Sequence, residues 1–380
     1  MTEQRRPPGA PDFLLSRPHH SIRTQGRTAI FPDPFEAATA LRNGEVELVV
    51  GAIPFDTANR AALMVPQSVV RSEGPLEPPA YYRGKKAAEA LEIEDVHSSS
   101  SLEEHQATVA AAVATMQQTR LEKVVLARSV DVTFRQEVDP LLIAARFIDL
   151  ASARNGFAVD LGATGREDDA GAMFVGSSPE QLIRRRDRSI TAFPLAGSGP
   201  RTGDAQVDDA TAARLLGSAK DLAEHRFVVE HYRRVLTPLC ADLRIPETPE
   251  LMETNEMIHL GTHIEGTLAD EEYSALDLAL ILHPTPAIAG TPTDDALGII
   301  NQVEEDREFY AGAVGWCDSS GDGEWMVSIR CACVGGSTAR AWAGGGIVAT
   351  SSPAEEVEET TAKLQTALRA LNVPVRMRQV

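Results

Sequence analysis

Cysteine is scarce in this chain, and Cys240, Cys317, Cys331 and Cys333 are too few and too irregularly spaced for a disulfide framework. Long apolar runs are missing, so nothing in the sequence is suited to span a bilayer as a helix. The opening stretch MTEQRRPPGAPDF has charge and proline but no apolar core segment, and no signal peptide is expected. Positive charge is in deficit: 36 Lys and Arg face 55 Asp and Glu, for a net charge of -19. That balance argues against nucleic acid and anionic membrane surfaces as partners. Internal repeats and low-complexity tracts are absent as well. What is present is the make-up of a soluble cytoplasmic protein, 43% hydrophobic and 24% charged. Its 380 residues suffice for two domains or one large one. An anionic substrate would need a local cationic patch working against the overall field.

Taken in order, residues 1–30 read as a loose polar start with a short strand at Phe13–Leu15. A short helix follows at Ala37–Arg42, then a turn and buried strand within Asn43–Phe55. Pro66–Lys86 is proline-rich, charged and exposed, as a linker or a meander. Ser99–Arg120 opens on a polar cap and continues as an alanine-rich helix. Leu121–Val132 is a strand with Lys123, Val125 and Ala127 on one face, an unusual place for a lysine. Pro140–Asp149 reads as a helix, and Gly171–Gly176 as a strand leading into SSPE. QLIRRRD and RSITAFPL read as the arms of a hairpin, Ala196–Asp204 as a glycine-rich loop, and Thr211–Leu239 as one long helix that holds Glu224 near its apolar face. Ile258–Gly266 is a strand candidate. Leu276–Leu282 is an apolar helix, stopped by Pro284, Pro286 and Pro292. Tyr310–Asp318 and Glu324–Val334 flank a turn, the second strand carrying Arg330. Cys331 and Cys333, two apart, share a face and pack as small apolar residues. Antiparallel meanders separated by helices make the fold class α+β.

The densest signal lies at Ala339–Leu368. A short strand, Ala339–Ala343, runs into the turn Gly344, Gly345, Gly346, and a helix starts at Ser352 with Pro353 in its first position and Glu355 closing a capping box. Val357, Thr361, Leu364 and Leu368 form the stripe expected to face the core, with Glu356, Glu359, Thr360 and Lys363 at its edge.

Seven ordered blocks, among them KVVLARSV, FVGSSPEQL, FPLAGS, SAKDLAEH, LHPTPAIAG and AGGGIVATSSPAEEVEETTAKL, resemble those of the chorismate-utilising enzymes, and their arrangement is most similar to that of isochorismate synthases. The resemblance covers roughly residues 100–370, with a looser match before them. It implies an α+β fold with a large antiparallel β-sandwich core surrounded by helices. Residues 1–98 would be the N-terminal portion of that sandwich, not folding alone, and residues 99–375 the chorismate-binding catalytic region.

The resemblance also implies Mg2+ and the dianion chorismate. Carried over block by block, Lys123 would be the general base and Glu180 the general acid. Glu224 and Glu359 would hold the metal with support from Glu356. Arg330 and Lys363 would hold substrate carboxylate, and Gly197 and Gly344 would offer backbone contacts. The implied reaction adds water at C2 while the C4 hydroxyl leaves and the double bond shifts. At a reference pKa of about 10.4, only about one lysine in 2,500 is neutral at pH 7, so burial must favour the free amine of Lys123 while apolar cover raises the carboxyl of Glu180. Lysine at the base position, where ammonia-using relatives carry glutamine, favours water as nucleophile, and no glutamine amidotransferase subunit is expected. The loop PLAGS leans away from salicylate synthases, the alternative with pyruvate-lyase activity. EEVEE replaces a pattern in which tryptophan often separates the glutamates. A non-catalytic Mg2+- or carboxylate-binding homologue is the rival from another class. The histidines His259, His263 and His283 lack metal-ligand spacing and read as core or loop residues. A monomer serving siderophore biosynthesis completes the expectation.

Overall fold

A computed structural model describes residues 10–83 and 91–378. Its centre is the strand Lys123–Phe134, which pairs along its length with Thr338–Val348, so that Val348 faces Lys123 and Gly346 faces Val125. Every strand pairing among the described residues is antiparallel, and seventeen strands join in one network. Leu195–Pro200, Glu250–Glu253 and Met257–Gly261 form a separate three-stranded sheet. Eight helices among the described residues cover the sheets, and one large and one smaller apolar cluster fill the space between. The α+β reading holds. No described helix is long and apolar enough to cross a membrane.

Several expectations about individual elements do not survive. The short strand expected at Phe13–Leu15 is present as Phe13–Arg17, but the rest of the polar start is not loose: His20–Phe31 is a strand paired with Ala62–Glu73, whose largely exposed Pro66–Glu73 half answers to the meander rather than the linker alternative. Sheet with one wetted face carries little hydrophobic signal. Residues 84–90, the end of the Pro66–Lys86 stretch, lie outside the described residues, as do residues 1–9. The loop expected at Ala196–Asp204 is mostly strand, Leu195–Pro200, with a register shift at Gly197 (φ +79°); its glycines mark a bulge. The single helix expected at Thr211–Leu239 is two, Ala205–Gly217 and Ala219–Leu236, divided at Ser218, whose hydroxyl caps the second. Ile258–Gly266 divides at Thr262 and His263 into strands of different sheets. Helix Thr293–Val303 had no counterpart in the sequence reading.

Two corrections concern the site directly. The three glycines are not a turn: strand Thr338–Val348 runs straight through them. Cys331–Gly335, which pairs on its other side with Met173–Gly176, reaches strand Thr338–Val348 only at Thr338–Ala341, so beyond Ala341 the outer edge of that strand has no strand neighbour among the described residues. Helix Pro353–Ala370 lies along that edge, turned from the expected orientation. Glu356, Thr360, Leu364 and Leu368 are buried, whereas Val357 and Thr361 are half-buried. Ser352 is its N-cap but makes no side-chain capping bond; the capping box with Glu355 is absent. Instead, Ser351 donates to Glu356 Oε1 at 2.8 Å, so the carboxylate points back into the protein.

Candidate active site

Chain without side chains, at an open sheet edge, lets helices approach closely, and here two do so with carboxylates. Glu224, buried on helix Ala219–Leu236, packs against Gly346, where a Cβ would lie 2.0 Å from its Oε1. Only glycine leaves room for that approach. Lys123, completely buried at the start of its strand, meets the same Oε1 with its Nζ at 3.1 Å, an ion pair without hydrogen-bond alignment.

Two further lysine–glutamate pairs adjoin it. Lys220 Nζ donates to Glu356 Oε1 at 2.5 Å, and Lys363 Nζ lies 2.6 Å from Glu359 Oε1. Lys363 also donates to the Gly344 carbonyl at 3.0 Å, which the unpaired edge leaves free to accept. Ser198 Oγ donates to Glu359 Oε1 at 2.8 Å, tying the helix to the small sheet. Burial and the nearby charges of Glu359 and Glu224 push the Glu356 carboxyl up to about 7, against the pull of Lys220. Burial, the largest influence, acts on Glu359 in the same direction, but the Lys363 ammonium, the Ser198 hydroxyl and the Lys220 charge together hold that carboxyl below its ordinary value.

Glu180 follows the strand Met173–Gly176 and is buried. Its Oε1 accepts only a long bond, 3.4 Å, from the Leu195 amide. Burial pushes its carboxyl up to about 7; that amide and the charges of Lys123, Arg330 and Lys363 offset part of the rise. Arg330 sits in a break between the strands Gly323–Val327 and Cys331–Gly335, at φ +52°, where one continuous strand was expected. The kink turns its side chain out of the strand alternation.

Glu180, Gly197, Glu224, Arg330, Gly344 and Lys363 line one cavity of about 60 Å³, together with Ser198, His259, Tyr310 and Trp342. Lys123 does not line it but meets Glu224, which does. Glu359 adjoins it through Ser198 and Lys363, and Glu356 packs one turn further along the helix. The nine residues singled out from the sequence therefore converge on one region. Lys220, Ser198, Tyr310 and Trp342 were not foreseen. His259, read as core or loop, is in the wall of this cavity, with Nε2 unpartnered and its imidazole held neutral by burial and then by Arg330 and Lys363. His263 is exposed beside Glu265, and His283 is buried against the Phe55 carbonyl.

Such a set of groups can hold a dianion between Arg330 and Lys363 and move protons through Glu180 and Lys123. Among the described residues no three His, Cys, Asp or Glu side chains are gathered closely enough to form a ready-made metal cage. Mg2+ does not require one, because it commonly takes one or two protein carboxylates and completes its shell with water and substrate. Glu356 Oε2 is buried with no partner, and the charges of Glu359 and Glu224 add to the cost of ionising Glu356. A hard divalent cation would relieve both, so the donor set fits one.

A family profile described as Chorismate binding enzyme matches residues 73–372. MenF of Mycobacterium tuberculosis is 42% identical over 383 residues, covering 96% of each chain. The isochorismate synthase DhbC of Bacillus subtilis is 38% identical over 382 residues, covering 96% of this chain and 94% of its own. The crystal structure of DhbC from Bacillus anthracis superposes with a TM-score of 0.86 at 34% identity, covering 96% of both chains.

Proposed function

The chain belongs to the chorismate-binding enzymes, and on that premise we propose that it is an isochorismate synthase, interconverting chorismate and isochorismate. The observation that carries this reading is Glu180: a buried carboxyl held protonated to about pH 7, in the same cavity as the Glu224 that meets Lys123.

In the proposed mechanism Arg330 and Lys363 hold substrate carboxylate as charge-assisted donors, and the backbone at Gly197 and Gly344 lines the ring's position. Lys123 takes a proton from the water that bonds to C2. As the water oxygen bonds to C2, the C1–C2 double bond shifts to C1–C6 and the C5–C6 double bond to C4–C5, the C4–O bond breaks, and Glu180 gives its proton to the departing hydroxyl, which leaves as water. Lys123 acts in this step as the free amine, so the ammonium paired with Glu224 first gives up a proton to solvent. Glu224 and Glu359, supported by Glu356, would hold Mg2+, which would supply local positive charge for the substrate's carboxylate. The 60 Å³ cavity is small beside the roughly 300 Å³ or more usual for ligand sites, so the lining side chains part on binding.

Purified protein incubated with chorismate and Mg2+ should yield isochorismate by chromatography. Salicylate with pyruvate would instead assign the lyase-bearing activity, and recovery of unchanged chorismate would remove the catalytic reading. The substrate is a small molecule and no amidotransferase partner is required; the working unit in this reading is a cytoplasmic monomer. A siderophore role is supported by the 2,3-dihydroxybenzoate-specific assignment of the Bacillus anthracis structure, and a deletion strain should then grow poorly only when iron is limiting.

Two substitutions test the acidic side of the cavity. Glu359→Ala should abolish the rise in chorismate affinity on adding Mg2+, measured by calorimetry; a rise equal to that of the unmodified protein would remove Glu359 from the ligand set. Gly346→Ala puts a methyl group 2.0 Å from Glu224 Oε1 and 3.0 Å from Lys123 Cε, so both must shift. A displacement of about 1 Å at such a site costs on the order of 10²-fold, and kcat/KM for chorismate should fall by that factor.

A further inference from the structure

A second charged site lies on the far edge of the central strand. Lys123–Phe134 pairs on that side with Gly290–Thr291 at its start and Ile93–Ser98 at its end, which leaves residues 125–129 without a strand partner in between. A cavity of about 110 Å³ opens at the gap, between the start of helix Leu102–Met116 and the end of helix Thr293–Val303. Along the strand the buried row Val124, Leu126, Val130 and Val132 is broken at this cavity by Arg128, which is only 2% exposed.

Arg128 has no carboxylate partner among the described residues. Its Nη2 donates to the neutral hydroxyl of Thr361 at 2.7 Å, while Nε and Nη1 are buried with no partner. Buried arginines are ordinarily paired. His105 lines the same cavity, is 3% exposed, and also has an unpartnered Nε2. Two glutamates in the wall do not answer Arg128. Glu304 is taken up at both oxygens by Arg307, at 2.7 and 2.8 Å, and by the Ala127 amide; Glu305 meets Arg340 at 3.3 Å. Burial lowers the Arg128 guanidinium to about 10, and burial followed by the Arg128 charge lowers His105 to about 4, as expected where a counter-ion is missing.

We propose that Arg128 and His105, with the hydroxyl-bearing wall of Ser99, Ser129 and Thr108, form a binding site for a small oxyanion, separate from the chorismate cavity. The volume admits an ion the size of phosphate, sulfate or a short carboxylate and is too small for a nucleotide. Trp342 lines both cavities, so occupancy is reported by a residue of the proposed active site.

The test is a titration of the intact protein with inorganic phosphate, sulfate and acetate in turn, at ionic strength held constant with chloride, following melting temperature and tryptophan fluorescence. The anion that binds should raise the melting temperature saturably and change the fluorescence. Phosphate and sulfate also stabilise proteins generally, and Arg128→Met subtracts that effect. This variant should melt no lower than the unmodified protein in chloride alone, since it removes an unpaired buried charge, and should lose the saturable part of the shift. Trp342→Phe, which leaves Arg128 in place, should keep the thermal shift and lose the fluorescence change. Absence of a saturable response to all three anions would overturn the proposal, as would an equal response in Arg128→Met. A response to phosphate and sulfate but not acetate assigns the ligand as a tetrahedral oxyanion, and the reverse assigns a carboxylate.

Discussion

Lys123→Arg should lower kcat by about 10²–10⁴-fold, the range a positioned proton acceptor contributes, while leaving the protein folded and able to bind chorismate. Arginine keeps the positive charge that Glu224 meets at 3.1 Å but does not give up its proton in a protein. The variant therefore separates two roles that Lys123→Ala confounds. Alanine would also abolish turnover, but it strands the Glu224 carboxylate in a buried position without its cation, which is a strongly destabilising change in its own right. Were Lys123 only a counter-ion for Glu224, the arginine variant would retain turnover. Rates close to those of the unmodified enzyme in Lys123→Arg would end the assignment of this residue as base.

Glu180→Gln is expected to be as severe for turnover and opposite in its effect on stability. The amide keeps the size of the carboxyl but has no acidic proton to give, so kcat should again fall by about 10²–10⁴-fold. In the unmodified enzyme the acid is protonated below its value of about 7, so kcat/KM should decline as pH rises through neutrality. The stability argument runs in the same pH window. The folded carboxyl titrates at about 7 and its ordinary value is 4.5; its contribution is therefore fully present below 4.5 and is lost as pH rises through 7. The difference corresponds to about 3 kcal/mol at pH 8. Glutamine is neutral at every pH and pays no such cost. The variant should melt above the unmodified protein at pH 8, and the gain should shrink toward zero at pH 5. Glu356 titrates near the same value in both proteins and cancels in the comparison. A pH-independent difference would mean that Glu180 is ionised in the folded state, and unaltered turnover would mean that it is not the acid.

The residues of the site were legible in the sequence because they occur in long ordered blocks, and a lysine amid apolar strand residues or a glutamate run at a helix start marks itself. The strand that buries both faces, Leu48–Ile53, was legible for a similar reason: unbroken apolar patterning leaves few alternatives. The half-wetted strand His20–Phe31 was not, since its polar residues are those of a loop when no partner strand is known. The glycine run misled in the opposite direction. Glycine is equally suited to a turn and to a strand edge that must be approached closely, and only the register with Lys123–Phe134 distinguishes them.

By itself, the amino-acid sequence determined the α+β class, the acidic balance, the family and the nine residues that converge on one region, six of them in the cavity wall, all of which depend on residue type and order along the chain. Which lysine meets which glutamate was decided by tertiary structure alone. Lys220 and Glu356 are 136 positions apart, Arg128 and the hydroxyl of Thr361 are 233 apart, and no local propensity carries information across such separations. The same holds for burial. A carboxyl at about 7 and an arginine without a counter-ion are consequences of the atoms packed round them, and those atoms come from every part of the chain.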